Sequence, residues 1–434
     1  MSTSPETVAA ASGPLPLPPR WYRWTVLVLI SLAMFGNYYI YDSISPLADV
    51  LKLKLGFSDG DIGLLNAIYS IPNIIMVLIG GMIIDRIGVK ISTMLFAVLC
   101  LLGAVVTVSS GVLEVMAAGR LIFGLGAESL IVAVTTAIAR WFRGKELSFA
   151  FGINLTIARL GSFAALNSPG WGSALYDDWR LPLLISVGAG VICVAGAAIY
   201  WILEVSAEKR FDLGKGGEPD KVVLSELLRF GTSYWAIVAM CVVFYSAVFP
   251  FQTFAVKFFM EAHGTTREHG GFLSSILTLF AMVATPLFGL AADRFGRRAT
   301  LMVFGSFLMI PAYLLMAYTS VSLYVPMAMM GTAFALIPAV MWPSVAYIVG
   351  QERLGTAYGL MTMVQNIGLA GFNLLIGWAN DTWGASATNP AGYVPGLWIF
   401  TGLGILGVLM SLFLLRHESG PGAHGLETIT TQHH

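Results

Sequence analysis

Asp42, Arg120, Glu128 and Arg159 of this 434-residue chain are charged residues that stand inside long apolar runs. A charge at the centre of such a run costs roughly 2.5–3.5 kcal/mol on membrane-insertion scales, so each calls for a partner or a task. Glu128 falls near the middle of the run 115–139 and Arg159 near the middle of 147–166. Packed as antiparallel neighbours, the two runs bring an acid and a base to similar depth. A guanidinium grips a carboxylate through two parallel N–H bonds, and a carboxylate takes an ammonium. Together they suit a zwitterion, and an extended two-residue peptide spans at most about 7 Å. The same residues could instead neutralise each other as a structural ion pair, and such a pair could also open to admit a zwitterion. Arg120 lies about two turns from Glu128 on a similar face and reads as a helix-packing or proton-network residue. Asp42 lies near the outer end of the first run. The second half has no charge at this depth and offers Tyr245, Trp342, Gln365, Asn366 and Asn373. The expected solute-binding set is Glu128, Arg159, Tyr38, Tyr41, Asp42, Tyr69, Asn73, Tyr245, Trp342, Gln365 and Asn366, with Tyr39 and Asn66 as further wall candidates. Each tyrosine alone is a weak signal, because tyrosine collects at membrane interfaces anyway.

The elements that must hold these residues follow from composition. The chain is 57% hydrophobic and only 11% charged, against about 25% charged in soluble domains. It cannot cover itself with a water-facing surface, and a bilayer removes that problem. Stretches long enough to span recur at 24–44, 62–84, 91–109, 115–139, 147–166 and 181–203. After a polar segment they resume at 234–259, 271–292, 301–318, 323–349, 357–379 and 393–415. The fold class is therefore all-α and membrane-embedded. It is divided as a tail 1–20, a six-helix bundle 21–204, a linker 205–229, a second bundle 230–416 and a tail 417–434, with both tails expected to be disordered. Most of the 24 Lys and Arg fall in the loops that share a side with the termini, so both termini are expected to be cytoplasmic. Lys52, Lys54, Arg180, Lys257 and Arg267 fall to the outer side. A net charge of zero implies no nucleic-acid partner. Cys100, Cys193 and Cys241 lie in apolar runs, and no histidine does, so no cofactor, metal site or disulfide is expected.

The two halves repeat. Gly81, Asp85, Arg86 and Gly88 follow the second span at the same spacing at which Gly289, Asp293, Arg294 and Gly296 follow the eighth, and Phe151-Gly152 has its counterpart in Tyr358-Gly359. Duplicated Gly-x-x-x-Asp-Arg-x-Gly loops mark internal repeats, and each reads as a cytoplasmic latch that holds an outward-facing state. In the repeat, Arg159 corresponds to Asn366 and Glu128 to Ala335, so the scaffold is duplicated and the charge chemistry is not. Pro46, Pro72, Pro250, Pro286, Pro338 and Pro343 supply bends in or at the ends of spans.

These duplicated loops resemble the major facilitator superfamily. Asn37-Tyr38-Tyr39, Tyr69-Ser70-Ile71-Pro72-Asn73, Gly119-Arg120 through Glu128-Ser129-Leu130, Ala158-Arg159-Leu160-Gly161-Ser162, Trp342-Pro343 and Gln365-Asn366 are similar to its lysosomal dipeptide uniporter branch. The resemblance implies a twelve-helix carrier of dipeptides, with Glu128 at the peptide amino end and Arg159 at its carboxylate. No acidic dileucine signal occurs in residues 1–20, and the triplet Asn154-Leu155-Thr156 lies inside a span. The expectation is thus a monomeric prokaryotic plasma-membrane relative with no glycosylated accessory subunit. The first span lacks the Glu-x-x-Glu-Arg motif of proton-coupled peptide carriers, so uniport is favoured over proton coupling through Glu128. The rival readings are an efflux antiporter or carrier of another small organic solute, and a non-transporting membrane sensor.

Overall fold

The computed structural model describes residues 16–142, 146–213, 230–350, 353–420 and 423–430. The expectations for residues 1–15 and for the linker 214–229 lie outside these. Twelve helices are long and apolar enough to cross a membrane. In the first half they are α1 (Arg20–Asp42), α2 (Asp59–Ile87), α3 (Val89–Ser109), α4 (Leu113–Trp141), α5 (Leu147–Leu166) and α6 (Arg180–Glu208). In the second half they are α7 (Thr232–His263), α8 (Arg267–Phe295), α9 (Arg298–Tyr318), α10 (Tyr324–Ile348), α11 (Leu354–Thr382) and α12 (Val394–Glu418). The six-plus-six division is the one read from the sequence. With an even number of spans, both termini emerge at one end of the bundle, here called the terminal end. The opposite end is the distal end.

Local chemistry sets the helix limits. Ser58 caps α2 in a reciprocal box, accepting from Asp61 N–H while the Asp61 carboxylate takes Ser58 N–H at 2.8 Å. Gly264 closes α7 at φ +65°, a left-handed position that glycine takes without strain. Lys257, which the loop rule places on the outer side, is inside α7 with its side chain fully buried. Its run of apolar neighbours ends only two residues later, so its depth could not be read from the chain. Where a disordered tail is expected, residues 423–430 fold back instead, and residues 421–422 and 431–434 lie outside the described residues. Leu426 is buried, and the N–H groups of Arg297 and Arg298 donate to the carbonyls of Glu427 and Leu426.

The halves meet at the distal end. There α2 crosses α11 so closely that a Cβ at Gly63 or Gly377 would overlap backbone of the opposite helix, and Gly271 of α8 lies against the Leu166 carbonyl of α5 in the same way. Hydrogen bonds and ion pairs join the halves at this end. They include Asn66 to Thr253 (3.3 Å), Ser45 to the Gln252 carbonyl, Arg267 to Asp49, and Lys257 to Asp59 (2.6 Å). At the terminal end, polar contacts such as Arg140–Glu204 (2.7 Å), Lys90–Glu208 (2.5 Å) and Asp293–Arg298 (2.9 Å) stay within one half. Asp85, Arg86 and Arg294 are exposed, and a Cβ at Gly81 or Gly289 would meet open space. The bundle is sealed distally and parted towards the termini.

Candidate functional site

Between the halves, at mid-depth, lies a cavity of about 290 Å³, the size of a small ligand pocket. The first half lines it with Asn37, Tyr38 and Tyr41 of α1, Tyr69 of α2, Glu128 and Ile131 of α4, and Arg159 of α5. The second half supplies Tyr245 and Phe249 of α7, Trp342 of α10, and Thr362, Gln365 and Leu369 of α11. Both charges in the wall come from the first half.

Glu128 and Arg159 are not paired. Glu128 Oε1 accepts from the Tyr69 hydroxyl at 3.3 Å. The Arg159 guanidinium lies 5.4 Å from the Tyr38 ring centroid and 5.2 Å from that of Phe334, across the seam. Its Nε is buried and makes no hydrogen bond. No ion pair within 4.0 Å joins the two residues. Aromatic faces hold the guanidinium by cation–π attraction, with no carboxylate of the described residues in ion-pair contact with it. Among the described residues, the wall therefore presents a cation and an anion that are not paired with each other.

Arg120 does something else. It is 1% exposed, which would be prohibitive without partners. Its Nε donates to the Leu65 carbonyl (3.2 Å), Nη1 to the Ile40 carbonyl (3.0 Å), and Nη2 to the Tyr41 carbonyl (3.2 Å) and Asn66 Oδ1 (2.9 Å). Tyr41, Tyr69 and Phe123 pack around the guanidinium at 5.3–5.9 Å. Arg120 ties the distal end of α1 to α2 and sets the backbone that carries Tyr41 and Tyr69.

Three expected wall residues lie outside the cavity. Asp42 is buried beside a void of about one water, which Ser45, Asn66, Gln252 and Thr253 share. Asn73 is fully buried in α2, away from the cavity lining. Asn366 is buried and turns its amide back onto the Thr362 carbonyl at 3.0 Å. Of the further candidates, Asn66 is in the distal seam and Tyr39 is buried against Phe35. The sequence reading missed Asn37, Ile131, Phe249, Thr362 and Leu369 as lining residues. Thr362 lies one helical turn before Asn366, and that spacing was the available signal. On the second-half wall the Trp342 indole donates to the Tyr245 hydroxyl at 2.9 Å, and the Tyr358 hydroxyl donates to the Trp342 carbonyl at 3.1 Å. Tyr245 stacks on Phe249 with the planes 12° apart.

Twelve spanning helices in two related bundles, around a central polar cavity closed at one end, define a secondary transporter rather than an enzyme. The Major Facilitator Superfamily profile matches residues 30–266 and 247–429, and the chain belongs to that family. It is 32% identical over 395 residues to the human lysosomal dipeptide transporter MFSD1, covering 86% of this chain and 84% of that one. It is 23% identical over 392 residues to the hexuronate transporter of Escherichia coli K12, covering 84% and 89%. Among solved structures, a point mutant of the nucleoside transporter NupG superposes with a TM-score of 0.74 at 14% identity, over 90% of this chain and 99% of that one.

Proposed function

We propose that the chain carries dipeptides, or small zwitterions of the same length, across the membrane by alternating access without obligatory proton coupling. One observation carries the reading: Glu128 and Arg159 face a single cavity at mid-depth and are not paired with each other. A zwitterion that bridges them cancels both charges. A simple anion would leave Glu128 unmatched, and a simple cation would leave Arg159 unmatched. Similarity to dipeptide transporters over more than four-fifths of the chain supports the same assignment. With the termini in the cytoplasm, as the Lys and Arg bias argues, the sealed distal end makes this an inward-facing state. On this reading the loops that carry Asp85-Arg86 and Asp293-Arg294 serve as latches of the outward-facing state. A prokaryotic plasma membrane is the proposed location.

The E. coli hexuronate relative favours a second reading, an organic-anion carrier that uses Arg159 and the aromatic wall alone. Counterflow in proteoliposomes separates the two. Exchange of labelled Ala-Ala that is competed by dipeptides and not by hexuronates supports the first reading. Competition by hexuronates alone refutes it. Uptake unchanged by an imposed pH gradient supports uniport, and uptake driven by one overturns it.

A further inference from the structure

Two fully buried opposite charges meet in the distal seam, away from the cavity. Lys257 and Asp59 have fully buried side chains, and Lys257 Nζ donates to both Asp59 carboxylate oxygens at 2.6 Å across the halves. Each also has a second partner in its own half. Lys52 Nζ, in the short helix Ala48–Leu55 ahead of α2, is 3.3 Å from Asp59 Oδ1. Glu261 Oε2, one turn along α7, is 3.6 Å from Lys257 Nζ and accepts from the Tyr393 hydroxyl at 2.5 Å. Asp59 is also the first residue of α2. Its N–H and that of Gly60 donate to the two oxygens of Asp381 on α11, at 2.9 and 2.7 Å. A carboxylate from the second half thus caps the positive end of a first-half helix.

We propose that Lys52, Asp59, Lys257 and Glu261 form the distal gate of the transport cycle, and that the gate works by partner exchange. The row alternates in sign, and only its middle link crosses the seam. When the halves part at this end, that link breaks, Asp59 retains Lys52, and Lys257 retains Glu261. Neither buried charge is stranded. An isolated Asp59–Lys257 pair would not open reversibly, because each charge would lose its only compensation in a low-dielectric setting. The arrangement assigns opposite duties to the four residues. Asp59 and Lys257 stabilise the sealed state. Lys52 and Glu261 hold the charges that opening releases, with Tyr393 keeping Glu261 aimed. Asp381 adds to the seal and passes to solvent on opening, since it is already exposed.

The proposal rests on the alternating-access reading but not on the identity of the solute, so its test reads distal separation and not flux. Spin labels are placed on Leu53→Cys and Ala387→Cys, exposed positions at the distal end of opposite halves, in the full chain in lipid nanodiscs. The native cysteines Cys100, Cys193 and Cys241 are buried, and wild type carried through the same labelling serves as the background. Double electron–electron resonance then gives the ratio of separated to sealed molecules. Lys257→Met and Asp59→Asn are expected to raise that ratio about tenfold, and Glu261→Gln to leave it at or below the wild-type value. The paired variant Asp59→Asn/Lys257→Met removes both members of the cross-seam link and should separate even if a single variant misfolds. A static structural cluster, in which every charge supports the sealed seam, gives Glu261→Gln the same sign as Asp59→Asn. That result overturns the proposal, as does a paired variant whose distance distribution matches wild type. Failure of dipeptide counterflow with these distance shifts intact would refute only the solute assignment.

Discussion

Replacing Arg159 by Gln removes the unpaired cation of the cavity wall while keeping a polar group of similar length. The surroundings of the side chain set the energetic consequence. Two ring centroids lie at 5.2 and 5.4 Å, the Nε is buried without a partner, and the side chain is partly exposed to the cavity. Removing one member of a fully buried charge pair costs about 2–5 kcal/mol. Partial exposure puts this case at the low end, about 2–3 kcal/mol, which is about 30- to 150-fold in affinity. Arg159→Lys keeps the charge but loses the fork and most of the stacking on Tyr38 and Phe334, a loss of about 1–2 kcal/mol, or about 5- to 30-fold. Equilibrium binding of Ala-Ala and of its C-terminal amide to purified protein measures both. If Arg159 meets the peptide carboxylate, the amide binds weakly to wild type and Arg159→Gln weakens it little further, so the cycle shows a large coupling. Glu128→Gln should give the mirror pattern with an N-acetylated dipeptide. Equal loss for acid and amide on Arg159→Gln would show that Arg159 shapes the cavity without touching the carboxylate, and would overturn the assignment.

Three further outcomes are expected. Arg120→Leu removes four hydrogen bonds to buried acceptors, at about 1–3 kcal/mol for any acceptor left unsatisfied. It should lower the thermal midpoint sharply, and unchanged melting would exclude the anchoring role. Gly63→Val or Gly377→Val sets a side chain against backbone at the α2–α11 crossing. Either should abolish distal sealing and exchange while each half stays folded, read as lost counterflow with a near-normal melting curve. Trp342→Phe loses the 2.9 Å bond to Tyr245, about 0.5–1.5 kcal/mol, and should weaken dipeptide binding about 2- to 12-fold.

The twelve spans, their division into two related halves and the presence of charge at mid-depth were all legible in the amino-acid order. Each is a one-dimensional signal. Apolar runs have a length, repeats have a spacing, and Glu128 or Arg159 stands out because its neighbours are hydrophobic. The rotational phase of each helix was not legible. These helices are apolar almost all round, so no polar face marks which side meets the other bundle. The neighbouring positions Gln365 and Asn366 therefore looked equivalent, yet only Gln365 lines the cavity while Asn366 folds onto its own helix. Asn73 and Asp42 were misjudged for the same reason. Whether Glu128 and Arg159 neutralise each other was also open until Tyr69, Tyr38 and Phe334 were seen to hold them separately. Lys257 looked like one more outer-loop cation, because its partner Asp59 is 198 residues away in sequence. Only the packing of one half on the other brings such a pair together, since no local propensity links residues in different bundles.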